Sequence, residues 1–243
     1  MGDDSRVLLV AHPPATFMRN VLLSWSSGKD SAWALHLLSQ RNDLRVAGLI
    51  TTFNHAADRV AMHAVRRNLA EAQAARAGLP LWPVELPWPC SNAVYEELMA
   101  ALCKRAVAEG IAAIAFGDLY LTDVRAYREK QLTGTGLEPL FPVWGIPTRQ
   151  LAVDMIGAGV RAKLTCVDPS KLDKSYAGCE FDRKFIDSLP AGIDACGENG
   201  EFHTFVYDAP VFSNPIQVEL GNIVERDGFV FADVMGERQL MPE

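Results

Sequence analysis

The segment Val21-Leu22-Leu23-Ser24-Trp25-Ser26-Ser27-Gly28-Lys29-Asp30-Ser31 decides how the rest of the chain is read. A short apolar run, Val21–Trp25, enters a Ser/Gly turn and passes straight into a helix-like stretch, Asp30–Gln40. Ala32, Leu35 and Leu38 form the apolar face of that stretch, widened by Trp33, Ala34 and Leu37. A helix that starts at such a turn presents unpaired N–H groups and about half a positive charge, which attract phosphate. Ser26 and Ser31 can add hydroxyl donors, Gly28 lets the backbone approach, and Lys29 adds charge. Asp30 suits the helix dipole and is a candidate to hold Mg²⁺ through water. The segment is neither a Walker A loop nor G-x-G-x-x-G. The alternative is an N-capped helix after a serine turn, with no ligand.

Outward from this segment the pattern alternates. Arg45–Thr52 and Leu81–Leu86 read as buried strands, Val60–Ala77 and Asn92–Glu109 as helices, and Ile111–Phe116 as a strand ending at Gly117-Asp118. Strand–helix alternation predicts a parallel, Rossmann-like α/β sheet with flanking helices. Ligands in such sheets gather beyond the carboxyl ends of the strands, where Ser26–Ser31 and Gly117-Asp118 both fall. Thr122–Leu132 is a further helix. After Gly134-Thr135-Gly136 the rhythm changes, with Pro139, Pro142 and Pro147 punctuating Leu140–Trp144. Thr148–Gly157 and Glu180–Leu189 then read as helices. Val160–Val167, Phe202–Val206, Ile216–Val224 and Phe229–Val234 read as strands, the last two joined at Asp227-Gly228. The expected organisation is an appendage at 1–17, an α/β domain at 18–137 and a smaller α+β domain at 138–243.

The 243 residues are 49% hydrophobic and 22% charged, with a net charge of −7, so the chain is globular and a poor general DNA binder. No apolar run approaches the ~20 residues of a membrane span. The acidic Met1-Gly2-Asp3-Asp4 is unlike a signal peptide, so a cytoplasmic location is expected. The five cysteines contain no C-x-x-C pair and are expected to be free thiols.

Three further polar clusters stand out. On the helix after Gly117-Asp118, Asp123 and Tyr127 share a face, and Arg125 and Glu129 share the adjoining one. In Glu198-Asn199-Gly200-Glu201-Phe202-His203-Thr204, Asn-Gly signals a type I′ turn before a strand. Glu201 and His203 would share one strand face and Phe202 and Thr204 the other. A Glu–His pair can serve acid–base work, with His203 expected as a base near neutral pH. His63 is expected to open a helix that also carries Arg66 and Arg67.

Ser26-Ser27-Gly28-Lys29-Asp30-Ser31 resembles the S-G-G-x-D-S loop of the PP-loop ATP pyrophosphatases, with Ser27 where that family usually has Gly. Four more segments resemble one branch, the diphthine–ammonia ligase-like proteins. They are Val60–Arg66, Phe116–Leu119 with Asp123–Glu129, Leu140–Gly145, and Gly197–Thr204. Cys179 departs from this pattern, since a basic residue is expected after Gly178. The resemblance implies that ATP and Mg²⁺ are used to adenylate an acceptor carboxylate, on a protein or a small molecule, which ammonia then amidates. Diphthine on a translation factor is the family's substrate.

By the same resemblance and by position at strand ends, the phosphates are expected on Ser26, Ser27, Gly28, Lys29, Asp30 and Ser31. Adenosine is expected near Thr51, Phe53 and Gly117. Acceptor and ammonia are expected near Asp118, Asp123, Arg125, Tyr127, Glu129, His63, Glu198, Asn199, Glu201, His203 and Thr204, with Arg125 holding the acceptor carboxylate. The competing readings are a tRNA-modifying PP-loop enzyme and a sensor that holds ATP or AMP without turnover. Pyrophosphate release in the presence of candidate carboxylates and ammonium separates these classes.

Overall fold

The structure is a computed structural model that describes residues 18–61 and 64–236; the expected appendage at 1–17 and His63 lie outside the described residues. The first half runs β1 (Arg19–Ser24), α1 (Lys29–Ser39), β2 (Leu44–Asn54), β3 (Arg59–Val60), α2 (Arg67–Ala77), β4 (Leu81–Leu86), α3 (Asn92–Ala108), β5 (Ile111–Ala115), α4 (Thr122–Leu132) and β6 (Glu138–Leu140). The parallel strands lie in the order β4-β2-β1-β5-β6. The chain leaves β1 toward β2 and β4, then returns to β5 on the other side of β1. The carboxyl ends of β1 and β5 therefore flank the topological switch point, where open α/β sheets bind ligands.

β1 is buried on both faces, as a central parallel strand must be. Val21 and Leu23 enter one apolar cluster and Leu22 the other. α2 stops at Gly78, whose left-handed φ of +65° forms the C-cap, and α3 starts where Ser91 Oγ accepts from Val94 N at 3.3 Å.

The sequence reading differs from the structure in three elements. Val60 does not open a helix: β3 pairs antiparallel with the end of β2, Val60 opposite Phe53, and helix begins only at Arg67. β6 is a strand in spite of Pro139. Among the described residues it is an edge strand paired only with β5, where a missing N–H is tolerated. It lies beyond residue 137 yet completes the first sheet. The helix expected from Glu180 begins at Arg183, because Asp182 caps it by accepting from Phe185 N at 2.8 Å, while Glu180 bridges to Lys163.

The second half runs α5 (Thr148–Gly157), β7 (Arg161–Val167), α6 (Arg183–Ser188), β8 (Phe202–Asp208), β9 (Val218–Arg226) and β10 (Phe229–Gly236). Its four strands form a separate antiparallel sheet in the order β8-β7-β10-β9. Asp227 and Gly228 have φ of +54° and +82°, as a type I′ hairpin requires. Among the described residues no helix is long and apolar enough to cross a membrane.

One apolar cluster draws on both halves, from Val21 and Trp25 to Phe202 and Phe205. Gln73, fully buried in α2, ties them together. Its Nε2 donates to Ser27 O at 3.1 Å and Val206 O at 2.6 Å, and its Oε1 accepts from Trp25 Nε1 at 2.9 Å. Val206 N also donates to Ser27 O at 3.0 Å. The antiparallel sheet is thus bonded to the turn that follows β1.

Candidate active site

A cavity of about 240 Å³ lies at the switch point. Ser26, Lys29, Asp30 and Ser31 line it from the turn and the start of α1. Gly117 and Asp118 line it from the end of β5, and Glu198, His203 and Thr204 from the second half. The structure therefore brings together three sequence segments that the expected pocket required. The volume falls below the ~300–1,000 Å³ of typical small-molecule sites, room for a phosphate chain more than for a whole nucleotide.

The turn is held tightly. Gly28 is the N-cap of α1 and supplies no side-chain cap. Ser26 Oγ lies 3.3 Å from Ser31 Oγ, and Ser31 Oγ donates to Gly28 O at 2.9 Å. Ser27 has φ of +69° and is completely buried, so a serine does occupy the left-handed conformation that glycine would adopt freely. Among the described residues its Oγ has no hydrogen-bond partner. Gly117 explains the close approach of β5: a Cβ there would lie 3.0 Å from the Asp30 carbonyl carbon and 3.1 Å from Ser31 N.

Lys29 is not the solvated charge expected of a first-turn lysine. It is 2% exposed. Its Nζ donates to Asp30 Oδ2 at 2.9 Å and to the Cys196 carbonyl, and lies 5.3 Å from the Phe202 ring centroid. Burial works against the lysine charge, but Asp30 beside it prevails and holds the Lys29 pKa above its ordinary value. Asp30 Oδ1 is buried without a partner among the described residues. An orphaned carboxylate oxygen beside a helix start whose N-cap is a glycine fits a divalent ion shared with phosphate oxygens, the usual manner of Mg²⁺. Among the described residues no group of three or more His, Cys, Asp or Glu is arranged to hold a metal, so phosphate oxygens would have to complete such a site.

The second half contributes three titratable groups with displaced pKa values, of which the Cys196 thiol is pushed up by burial. Glu198 Oε1 accepts from Leu119 N at 2.9 Å, and burial pushes its carboxyl up to about 7. His203 is moved the other way: burial, helped by the Lys29 charge, lowers it to about 4. The group poised near neutral pH is therefore Glu198 and not the expected His203. Burial also raises the Asp118 pKa, opposed by Arg128, whose Nε lies 3.4 Å from Asp118 Oδ2.

Other expected site residues fall elsewhere. Glu201 is not part of the cavity lining that holds His203; it is 2% exposed, and its Oε1 accepts from Asp194 N and Asn199 Nδ2, both at 3.1 Å. Asn199 is exposed. The Asn-Gly step does not form a type I′ turn, because only Gly200 has positive φ; the turn instead runs from Gly197 to Gly200. Arg125 is not part of the cavity lining. It pairs with Glu129 at 2.8 Å and stacks 4.7 Å from the Phe141 centroid. Asp123 and Tyr127 are exposed. Thr51 and Phe53 are buried in β2, Thr51 Oγ1 donating to Trp25 O at 2.9 Å, so any contact they make with a ligand would come from the main chain.

Arg128 is the cavity arginine that sequence reasoning missed. Helical spacing carries the signal, since Arg128 lies four residues before Leu132, the buried residue of α4. Phe202 also lines the cavity together with His203 and Thr204, because the cavity meets the start of β8 and not one of its faces. All five cysteines are free, and exposed Cys179 lies outside the cavity lining.

The fold and the site define a class: an α/β protein whose anion cradle at the switch point shares a cavity with acid–base groups of an appended antiparallel sheet. Residues 18–139 match the diphthamide synthase N-terminal domain, and residues 147–234 match the diphthamide synthase C-terminal domain. The chain belongs to the diphthamide synthase family. It is similar to the diphthine–ammonia ligase of Homo sapiens, 29% identical over 144 residues, 57% of this chain and 52% of that protein. The diphthine–ammonia ligase of Mus musculus is 28% identical over 152 residues, 60% of this chain and 56% of that protein. That of Danio rerio is 33% identical over 106 residues, 40% of each chain. The chain thus aligns with about half the length of these relatives.

Proposed function

We propose that this protein is an ATP-dependent amide ligase that adenylates an acceptor carboxylate and amidates it with ammonia. The observation that carries the reading is the single cavity in which the start of α1, Lys29 and Asp30 meet Glu198 and His203. Phosphate binding alone would need only the first half.

In this reading the amides of the turn and Lys29 hold the β- and γ-phosphates and stabilise the charge that develops on departing pyrophosphate. Mg²⁺, when bound at Asp30, would neutralise phosphate charge. The acceptor carboxylate oxygen attacks the α-phosphorus, pyrophosphate leaves, and ammonia displaces AMP from the acyl carbon. Arg128, at the rim with Asp118, takes the acceptor-holding role that the sequence had suggested for Arg125. Diphthine, named in the relatives, is the proposed acceptor.

The test is pyrophosphate release from Mg-ATP, with and without a diphthine-bearing protein and ammonium, read beside amide formation. The reading expects one pyrophosphate per amide. ATP binding with no pyrophosphate release under any combination would favour a non-catalytic nucleotide sensor.

A further inference from the structure

We propose that the nitrogen donor enters this site as ammonium and that the Glu198 carboxylate takes its proton before attack. The inference rests on the ligase reading above and deepens it, by naming the form of the substrate and the base.

An amine nitrogen can attack an acyl carbon only after losing a proton, and ammonium is the abundant form at neutral pH. The site therefore needs an anionic group that can both attract the cation and accept its proton. Three acids line the cavity, and the structure distinguishes them. Asp30 is paired with Lys29 at 2.9 Å, and Asp118 with Arg128 at 3.4 Å. Among the described residues Glu198 forms no ion pair, although it faces the same cavity. Of the three it is the carboxylate with no cation in direct contact, although the Lys29 charge acts on it across the cavity.

Glu198 is also held in place. Its Oε1 accepts from Leu119 N at 2.9 Å, directly after Asp118 at the end of β5, and Leu119 is fully buried. Its own N–H donates to Asp194 Oδ1 at 3.2 Å, and the turn around it closes from Gly200 N to Gly197 O at 3.0 Å. A carboxylate fixed at both ends can meet an incoming cation without reorganising.

The charged and titratable groups around Glu198 are Lys29 and Asp30 from α1, Asp118 and Tyr120 after β5, Arg128 from α4, Asp194 and Cys196 from its own loop, and His203 from β8. Burial together with this mostly acidic set places Glu198 at about 7, suited to exchanging a proton near neutral pH. His203, at about 4, stays neutral and cannot retain the proton.

The step balances. One N–H bond of ammonium breaks and its proton passes to Glu198. The freed lone pair forms the C–N bond, and the C–O bond to AMP breaks with its electron pair leaving on the AMP phosphate. A second proton leaves the nitrogen to water as the neutral amide forms.

The test compares two nitrogen nucleophiles on the full chain, with Mg-ATP and a diphthine-bearing protein. Hydroxylamine is largely uncharged at neutral pH and needs no prior deprotonation. Glu198→Gln keeps an oxygen for the Leu119 amide. We expect this variant to lower the ratio of amide to hydroxamate by ~10²-fold, the usual scale of a lost general base. At fixed total ammonium, wild-type amidation should rise through about pH 7 and fall again as ammonium itself deprotonates. A variant that loses amide and hydroxamate in equal proportion would give Glu198 a structural role and overturn the proposal. So would a wild-type rate that climbs steadily with free ammonia. Wild-type pyrophosphate release is measured first, and its absence would overturn the ligase reading itself.

Discussion

The backbone N–H of Lys29 donates to Thr204 Oγ1 at 3.1 Å, joining the first turn of α1 to β8 across 175 residues of sequence. This bond makes the phosphate-loop candidate and the Gly197–Thr204 segment one structural unit. A change at either side therefore acts on both.

Lys29 is the sharpest case. Lys29→Ala leaves Asp30 and the Cys196 carbonyl without their shared cation. Breaking a buried pair in this way should cost about 3 kcal/mol and lower the denaturant midpoint. Lys29→Met keeps the stem against Phe202 and should retain more of that stability. Both variants should lose pyrophosphate release. A Lys29→Met protein that turns over ATP at the native rate would remove Lys29 from the chemistry.

Gly117 tests the seam between β5 and α1. Gly117→Ala places a methyl 3.0 Å from the Asp30 carbonyl carbon, against backbone that cannot swing aside. Overpacking of this kind costs about 1–3 kcal/mol. Thermal unfolding should show that loss, and ATP binding should weaken with it because the start of α1 is displaced.

Ser27 carries a left-handed φ of +69° and a buried hydroxyl without a partner. Ser27→Gly removes both burdens, together about 2 kcal/mol, against about 1 kcal/mol of added chain entropy. A net gain of about 1 kcal/mol in unfolding free energy is expected. Ser27→Val should lose at least as much, because a β-branched side chain fits that backbone poorly.

Glu198 and His203 impose opposite pH dependences on stability. Glu198 is raised from 4.5 to about 7 in the fold, so its contribution is full below 4.5 and is lost as pH rises through about 7. His203 is lowered from 6.5 to about 4, so its contribution is full above 6.5 and is lost as pH falls through about 4. Between 4.5 and 6.5 the two oppose, and their combined effect on the melting temperature should be nearly flat. Glu198→Gln leaves His203 alone. That variant should gain stability relative to wild type as pH rises across this window, by on the order of 1 kcal/mol per pH unit. Parallel wild-type and variant melting curves from pH 4.5 to 6.5 would contradict the Glu198 assignment, and a variant curve that stays flat over that range would contradict that of His203.

The parallel sheet was legible in the chain because its signals are local. β1, β2, β4 and β5 are short apolar runs, each closed by a turn residue or a helix start, and the ligand end of such a sheet follows from chain direction alone. The Ser26–Ser31 turn was legible for the same reason: strand, turn and helix start lie within a few residues of one another. Elements decided by partners were not legible. Pro139 looks like a break until β5 lies alongside, and Val60 looks helical until Phe53 pairs with it.

The site divides in the same way. Residue type and spacing are enough to mark Lys29, Asp30, Asp118, Glu198 and His203 as chemistry-bearing groups near turns and strand ends. Their states follow from contacts between distant segments. Lys29 is buried because β8 and the Cys196 carbonyl close over it. Arg128 replaces Arg125 at the cavity because it lies one helical turn before the buried Leu132, whereas Arg125 is turned toward Glu129, Phe141 and Trp144. Glu198 rises to about 7 and His203 falls to about 4 because desolvation depends on what covers a group, and the covering residues come from chain segments far away in sequence.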